Sequence, residues 1–122
     1  MDSQQEIKNR LNRSNEPAVL ILTSLAAGEK HGYALTRDIE GFARVVLGPG
    51  TLYGAITRLE EKGLIEPVPC SERKQPYRIT AAGRVALAEA LREMRAIVDE
   101  GSLRLRLPTI PVGQRIVVRG AQ

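Results

Sequence analysis

Gly48-Pro49-Gly50-Thr51-Leu52-Tyr53-Gly54-Ala55-Ile56-Thr57-Arg58-Leu59-Glu60-Glu61-Lys62-Gly63 is the stretch on which the fold turns. A proline between two glycines forces a turn, and proline suits the first position of a helix because the N–H it lacks would have no partner there. From Pro49 the apolar residues Leu52, Ala55, Ile56 and Leu59 recur at helical spacing. One stripe of a helix from Pro49 to Lys62 therefore faces a core, and Gly63 supplies its C-terminal glycine. The other face offers Thr51, Tyr53, Gly54, Thr57 and Arg58. A helix that merely faces water tends to place acids in its first turn. This one has none, which leaves its first amide N–H groups open to an external anion.

Upstream, Asn15-Glu16-Pro17 signals a helix start, and Ala18 to Leu25 is almost wholly apolar, so that helix is buried around most of its girth. Gly28 closes it. After a short link, Glu29-Lys30-His31-Gly32, a second helix is expected from Tyr33 to Phe42, with Leu35, Ile39 and Phe42 as its buried stripe. Residues 1–15 form an N-terminal extension. A short helix over Gln4 to Arg13 would carry only Ile7 and Leu11 on one face, too little to hold it alone.

Downstream, Leu64 to Val68 and Pro76 to Ile79 read as two short strands, kept edge-like by their prolines. Between them Ser71-Glu72-Arg73-Lys74-Gln75 makes a hairpin tip with adjacent positive charges. Thr80 is a good N-cap for the longest helix, Ala81 to Glu100. Leu87, Leu91, Met94 and Val98 recur along it, flanked by Ala90 and Ile97, which is more apolar face than a domain this small needs for its own core. Beyond Gly101 the pattern fails. Leu103 to Leu107 alternates like a strand, and residues 101–122 read as a basic tail.

A chain of 122 residues holds one ordinary domain. Its charge is +4, from 18 Lys and Arg against 14 Asp and Glu. Setting aside Arg104, Arg106, Arg115 and Arg119 of the tail leaves 14 of each sign, so charge points to nucleic acid only through local placement. No apolar run approaches the roughly 18 residues of a membrane span. The polar N-terminus shows no signal peptide, and a single cysteine, Cys70, fits a reducing cytoplasm. Cys70 is either an ordinary small side chain or a redox sensor whose thiolate Arg73 and Lys74 would favour. Enzyme readings find no support. His31 is the only histidine, no Cys/His pair has metal spacing, and Gly48-Pro49-Gly50 lacks the lysine of a nucleotide-binding loop. No catalytic residue, metal or cofactor is expected.

The fold class read from this order is mainly α with a small β-hairpin: a winged helix-turn-helix over residues 16–80, then a long helix over 81–100. In that architecture the third helix fits a major groove while its neighbour and the wing reach phosphates. Here His31-Gly32-Tyr33, the run Gly48 to Ala55, the run Arg58 to Ile65, and Tyr77-Arg78-Ile79-Thr80 followed by Ala82-Gly83-Arg84 together resemble the PadR family of transcriptional regulators, over about Pro17 to Met94. The resemblance implies a homodimer built through the C-terminal helix, at Leu87, Leu91, Met94 and Val98, that binds a palindromic operator and usually represses. Some relatives release DNA when a small, often aromatic, effector binds near the dimer interface. This chain has no tryptophan, so stacking of such a molecule between indoles has no support.

Each candidate DNA-binding residue has a plainer reading beside it. Thr51 either bonds within its helix or reaches DNA. Tyr53 is half-buried with a phenol tip able to reach phosphate, and Thr57 and Arg58 are solvated or groove contacts. Arg73 and Lys74 would be a solvated turn elsewhere but on this wing reach phosphate or minor groove. His31 caps the second helix or contacts the backbone, and Tyr33 packs between helices or touches DNA. A winged helix serving only protein–protein interaction is the competing reading; the basic tip and acid-free third helix argue against it.

Overall fold

The structure, a computed structural model, describes residues 16–71 and 73–108. The N-terminal extension, Glu72 and the tail arginines Arg115 and Arg119 lie outside them. Helix α1 (Pro17–Ala26) starts as its sequence dictates, with Glu16 extended at the N-cap and proline in the first turn. It buries Leu20, Ile21, Leu22, Ser24 and Leu25. A buried hydroxyl is costly without a partner, and Ser24 donates to Asp38 Oδ2 at 2.5 Å. Lys30 Nζ donates to the Ser24 carbonyl at 2.6 Å and lies 3.9 Å from the same carboxylate oxygen. These three side chains tie α1 to the segments that follow.

The link Lys30–His31 is a strand, β1, and not a loop. It leads directly into α2 (Gly32–Ala43). The turn then delivers α3 (Pro49–Glu61), β2 (Ile65–Pro67) and β3 (Pro76–Ile79), close to the expected bounds. The strands are antiparallel in the order β1-β3-β2, so the hairpin gains a third strand. Lys30 pairs with Tyr77 and His31 with Pro76, while Ile65 pairs with Ile79. Two residues are too few to show strand periodicity, and their partner lies far along the chain.

Phe42 departs from its expected place. It is 47% exposed, and Ala43 packs against the core instead. The inward row on α2 follows Leu35, Ile39 and Ala43 at i, i+4 and i+8, so the stripe has rotated past Phe42 by the last turn. Residues of α1, α2, α3, β2 and β3, with Leu47 of the turn, make one aliphatic core.

Helix α4 (Ala81–Leu105) begins as predicted. The Thr80 hydroxyl accepts from the Gly83 N–H at 3.0 Å and itself donates to the Gly63 carbonyl at 2.7 Å. Gly83 is needed for close approach. A Cβ there would run into the Leu64 carbonyl oxygen and stand 2.7 Å from Ile79 Cγ1.

The chain divides into two units at Ala90/Leu91. Leu87, expected at a dimer interface, is 7% exposed and belongs to the core of the first unit. In the second unit Leu91, Ile97, Val98, Leu103, Leu105 and Leu107 are exposed and Met94 is half-buried. The helix does not end at Glu100, and Leu103 to Leu105 is helical, not strand-like. Glu100 accepts from Arg104 Nε at 2.7 Å, one turn on, which supports the last turns. The stop is a left-handed Arg106 (φ 58°), with the Arg106 N–H bonded to the Leu103 carbonyl and the Leu107 N–H to the Ser102 carbonyl, ahead of Pro108.

Candidate nucleic-acid interface

The exposed face of α3 has the character its sequence announces. Gly48 offers no side-chain cap, Pro49 occupies the first turn, and no acid stands there. Thr51, Tyr53, Thr57 and Arg58 are all exposed, while Leu52, Ala55, Ile56 and Leu59 are buried beneath them. Thr57 donates its hydroxyl to the Tyr53 carbonyl at 2.9 Å, so only its lone pairs remain for a ligand. The Arg58 guanidinium folds over Gly54, with Nη1 at 3.5 Å from the place a Cβ would take. Among the described residues Arg58, Arg73 and Lys74 form no ion pair.

The wing is braced at its base. Gln75 Nε2 donates to the carbonyls of Val68 and Pro76, at 2.9 and 2.7 Å, and the Val68 N–H donates to the Pro76 carbonyl at 3.0 Å. Arg73 and Lys74 are therefore mounted on a closed loop, and Cys70 lies exposed within the same loop. Across β2 and β3, Arg78 Nε meets Glu66 Oε2 at 2.7 Å, and that carboxylate raises the guanidinium's pKa. Arg78 is thereby engaged, unlike the cations at the tip.

Strand β1 is what joins wing to helix. Its pairing to β3 sets His31 beside Pro76, so the N-terminus of α2 abuts the wing base. His31 caps α2 as expected: its Nδ1 accepts from the Ala34 N–H at 3.4 Å. A ring nitrogen that accepts carries no proton, which puts the proton of the neutral ring on Nε2, a donor. Tyr33 does not pack between helices. It is 61% exposed, holding Arg37 by a hydrogen bond of 3.0 Å from Arg37 Nη1 to its hydroxyl. Tyr53 is half-exposed, and its phenol lies against Gly32, where a Cβ would collide with it.

The outcome is a recess of about 320 Å³ lined by His31, Gly32, Tyr33 and Tyr53 on one side and Arg73, Lys74 and Gln75 on the other. Five of the residues singled out from sequence meet there, drawn from three separate segments. A second recess of about 310 Å³ shares Gly32, Tyr33 and Tyr53 and continues over Pro49, Leu47 and Leu52. The first offers cations and N–H and O–H donors, the equipment for a phosphate oxygen; the second is mostly apolar. Thr51, Thr57 and Arg58 line neither recess and stand along α3. Gly32 and Gln75 were not legible as site residues, since a close approach and a loop brace leave no periodic mark. Among the described residues no group of carboxylate, cysteine and histidine side chains could hold a metal ion, and no helix is long and apolar enough to cross a membrane.

Comparison with known proteins bears on the family and the fold. Residues 21–89 match the model of the transcriptional regulator PadR-like family, which is more than half of the chain. The chain belongs to the PadR-like family. Its PadR-like segment takes in all of the recess residues and Leu87 but ends short of Leu91, Met94 and Val98. The transcriptional regulator Rv3488 of Mycobacterium tuberculosis is 37% identical over 83 residues, covering 66% of this chain and 77% of that protein. An uncharacterized 37.1 kDa protein in transposon TN4556 of Streptomyces fradiae is 43% identical over 82 residues, 67% of this chain but only 24% of its own length. The chain thus spans about a quarter of that relative.

Among solved structures, a PadR family transcription regulator from hypervirulent Clostridium difficile superposes with a TM-score of 0.68 at 25% identity, covering 75% of this chain and 99% of that one. A transcriptional regulator from Clostridium thermocellum gives 0.63 at 26%, covering 75% and 96%. The fold is that of PadR winged helices, and the family, with its relatives from Mycobacterium tuberculosis and the two clostridia, consists of transcription regulators, not enzymes.

Proposed function

We propose that this PadR-like chain is a homodimeric cytoplasmic repressor that binds a palindromic operator in duplex DNA. The observation that carries the reading is the recess between wing and α2, where Arg73, Lys74, His31, Tyr33 and Tyr53 converge beside the acid-free start of α3. Phosphates seat in the recess and hold the protein in register, while Thr51, Thr57 and Arg58 of α3 face base edges. The wing cations lack internal partners among the described residues, so their charge is available to the backbone.

Dimerisation rests on the second unit. Leu91, Met94, Val98 and Leu105 follow one another at the three-and-four spacing of a two-stranded seam, with Gly101 at the remaining position. Exposed apolar residues in such a row mark a surface that another chain covers, and a second copy supplies a matching row by symmetry. Leu87 drops out of the interface because its own core takes it. Two half-sites about one helical turn apart, roughly 34–36 Å, would then be read together.

The test is duplex titration followed by fluorescence anisotropy at several salt concentrations. Charge reversal at Arg73 and Lys74 together should weaken binding at least tenfold at moderate salt. A wild-type chain indifferent to mixed-sequence duplex in dilute buffer would refute the reading and favour the protein-interaction module.

A further inference from the structure

The outer face of α2 carries a cationic row that the wing recess does not use. Tyr33, Arg37, Glu40 and Arg44 follow at i, i+4, i+7 and i+11, which lines them up on the side of the helix turned away from the buried Leu35 and Ile39. All four are exposed. Arg37 nevertheless has a partner in Tyr33. Besides its bond to the Tyr33 hydroxyl, its guanidinium carbon sits 5.7 Å from the centroid of the Tyr33 ring. A guanidinium already held at the surface has less rotamer freedom to lose when a ligand arrives.

At the far end Arg44 caps α2 from the left-handed backbone region, φ 59°, and donates its N–H to the Glu40 carbonyl at 3.0 Å. A non-glycine residue seldom takes that conformation, and it sets where the side chain leaves the helix. Between the two arginines the surface is concave: Arg37, Glu40, Gly41 and Arg44 line a recess of about 640 Å³. Gly41 contributes no side chain and has open space where a Cβ would stand. Neither arginine has an ion pair among the described residues.

We infer that Arg37 and Arg44 form a second phosphodiester seat, which extends the backbone-binding surface from the wing recess along α2. The inference rests on the duplex-binding reading above. Tyr33 is the joint: it walls the wing recess on one side and orients Arg37 on the other. Glu40 stands between the arginines and opposes the anion, so the row keeps a net charge of one and the seat is weaker than a bare arginine pair. That carboxylate makes the seat tunable, since its removal must strengthen the grip.

The experiment uses the full chain and a mixed-sequence duplex long enough for two half-sites, titrated by anisotropy across a salt series. For every phosphate charge that a variant no longer neutralises, the slope of log affinity against log salt should become shallower by about 0.9. Arg37→Ala with Arg44→Ala should weaken binding and flatten the slope by about twice that per protomer. Glu40→Gln should tighten binding. Arg37→Lys should keep the slope but bind more weakly, because the point charge survives and the fork held on Tyr33 does not. Thermal melting should change little, since all three side chains are exposed.

Wild-type affinity and slope in the double alanine variant, with the Arg73/Lys74 reversal still crippling, would overturn the inference and leave the proposed function standing. Failure of the wild type to bind duplex at all would remove both. If the double variant melts early, Glu40→Gln and Arg37→Lys decide the matter alone: unchanged binding in both refutes the seat.

Discussion

Replacing Gly32 with alanine should cripple duplex binding while leaving the fold nearly as stable as before. The added Cβ would overlap the Tyr53 hydroxyl and stand 2.8 Å from Cζ and 3.3 Å from Cε1 of the same ring, too close for carbon atoms at rest. Either α2 shifts or the phenol swings out. Helix α2 is anchored through Asp38 to the buried Ser24 and through β1 to the sheet, whereas Tyr53 is 50% exposed and the obstructing atoms are the far end of its side chain. The ring moves. Gly32 is the first residue of α2, so alanine there gains at most the roughly 0.5–1 kcal/mol of a helix interior, and the packing that Tyr53 gives up offsets it. The melting temperature should therefore stay within a few degrees, at about 4–8 °C per kcal/mol for a domain of this size.

Binding responds differently, because Tyr53 walls both recesses. A hydrogen bond to a charged group contributes about 1.5–3 kcal/mol, so its loss raises Kd roughly tenfold or more per protomer. In the proposed homodimer, two protomers acting together would bring the loss toward roughly a hundredfold. Anisotropy titration of G32A, Y53A and the double variant separates the causes. If Gly32→Ala acts through the phenol, it costs nothing further once Tyr53 is alanine, and the coupling energy equals the single effect. Additive losses, or a melting drop beyond ten degrees or so, would show that α2 itself had moved and would refute the reasoning.

Other perturbations follow from the same structure. Leu87→Ala should destabilise the first unit by about 2–5 kcal/mol in urea melts, as core truncations do. Leu91→Glu should leave that stability alone and turn dimers into monomers in sedimentation; a surviving dimer would exclude α4 as the main interface. Gly83→Ala should cost about 1–3 kcal/mol, because its Cβ meets the backbone carbonyl of Leu64, which cannot rotate aside; an unchanged urea midpoint would contradict this. Burial, then Glu60 and Tyr53, raise the pKa of the Tyr77 hydroxyl above its ordinary value near 10. The folded chain thus holds that proton more tightly than the unfolded one, so its stability is full below about pH 10 and falls as pH climbs through the raised value. Tyr77→Phe should blunt that alkaline loss, and an identical profile in both proteins would count against it.

Several features of the site were legible because they are local. The acid-free start of α3, the capping Thr80, the adjacent Arg73 and Lys74 and the helical stripe of Leu52, Ala55, Ile56 and Leu59 all follow from neighbours a few positions apart. Tyr33 shows where such reading stops. An aromatic residue at a helix start looks like core, and only the packed chain reveals it outside, holding Arg37. Leu87 fails in the opposite direction: it continues the row of Leu91, Met94 and Val98, yet the core of the first unit takes it in.

By itself the sequence determined the order of the four helices and the hairpin, most of their ends and most of each helix's apolar face, though not the last turns of α4 or the place of Phe42, since propensity, capping and periodicity act within a turn or two of the backbone. Tertiary structure alone decided that Lys30–His31 would pair with Tyr77 and Pro76, that a phenol would rest on Gly32, and that three separate segments would close one cationic recess. Those outcomes depend on which surfaces meet once the core has formed. Hydrophobic burial, which drives that meeting, has no direction along the chain.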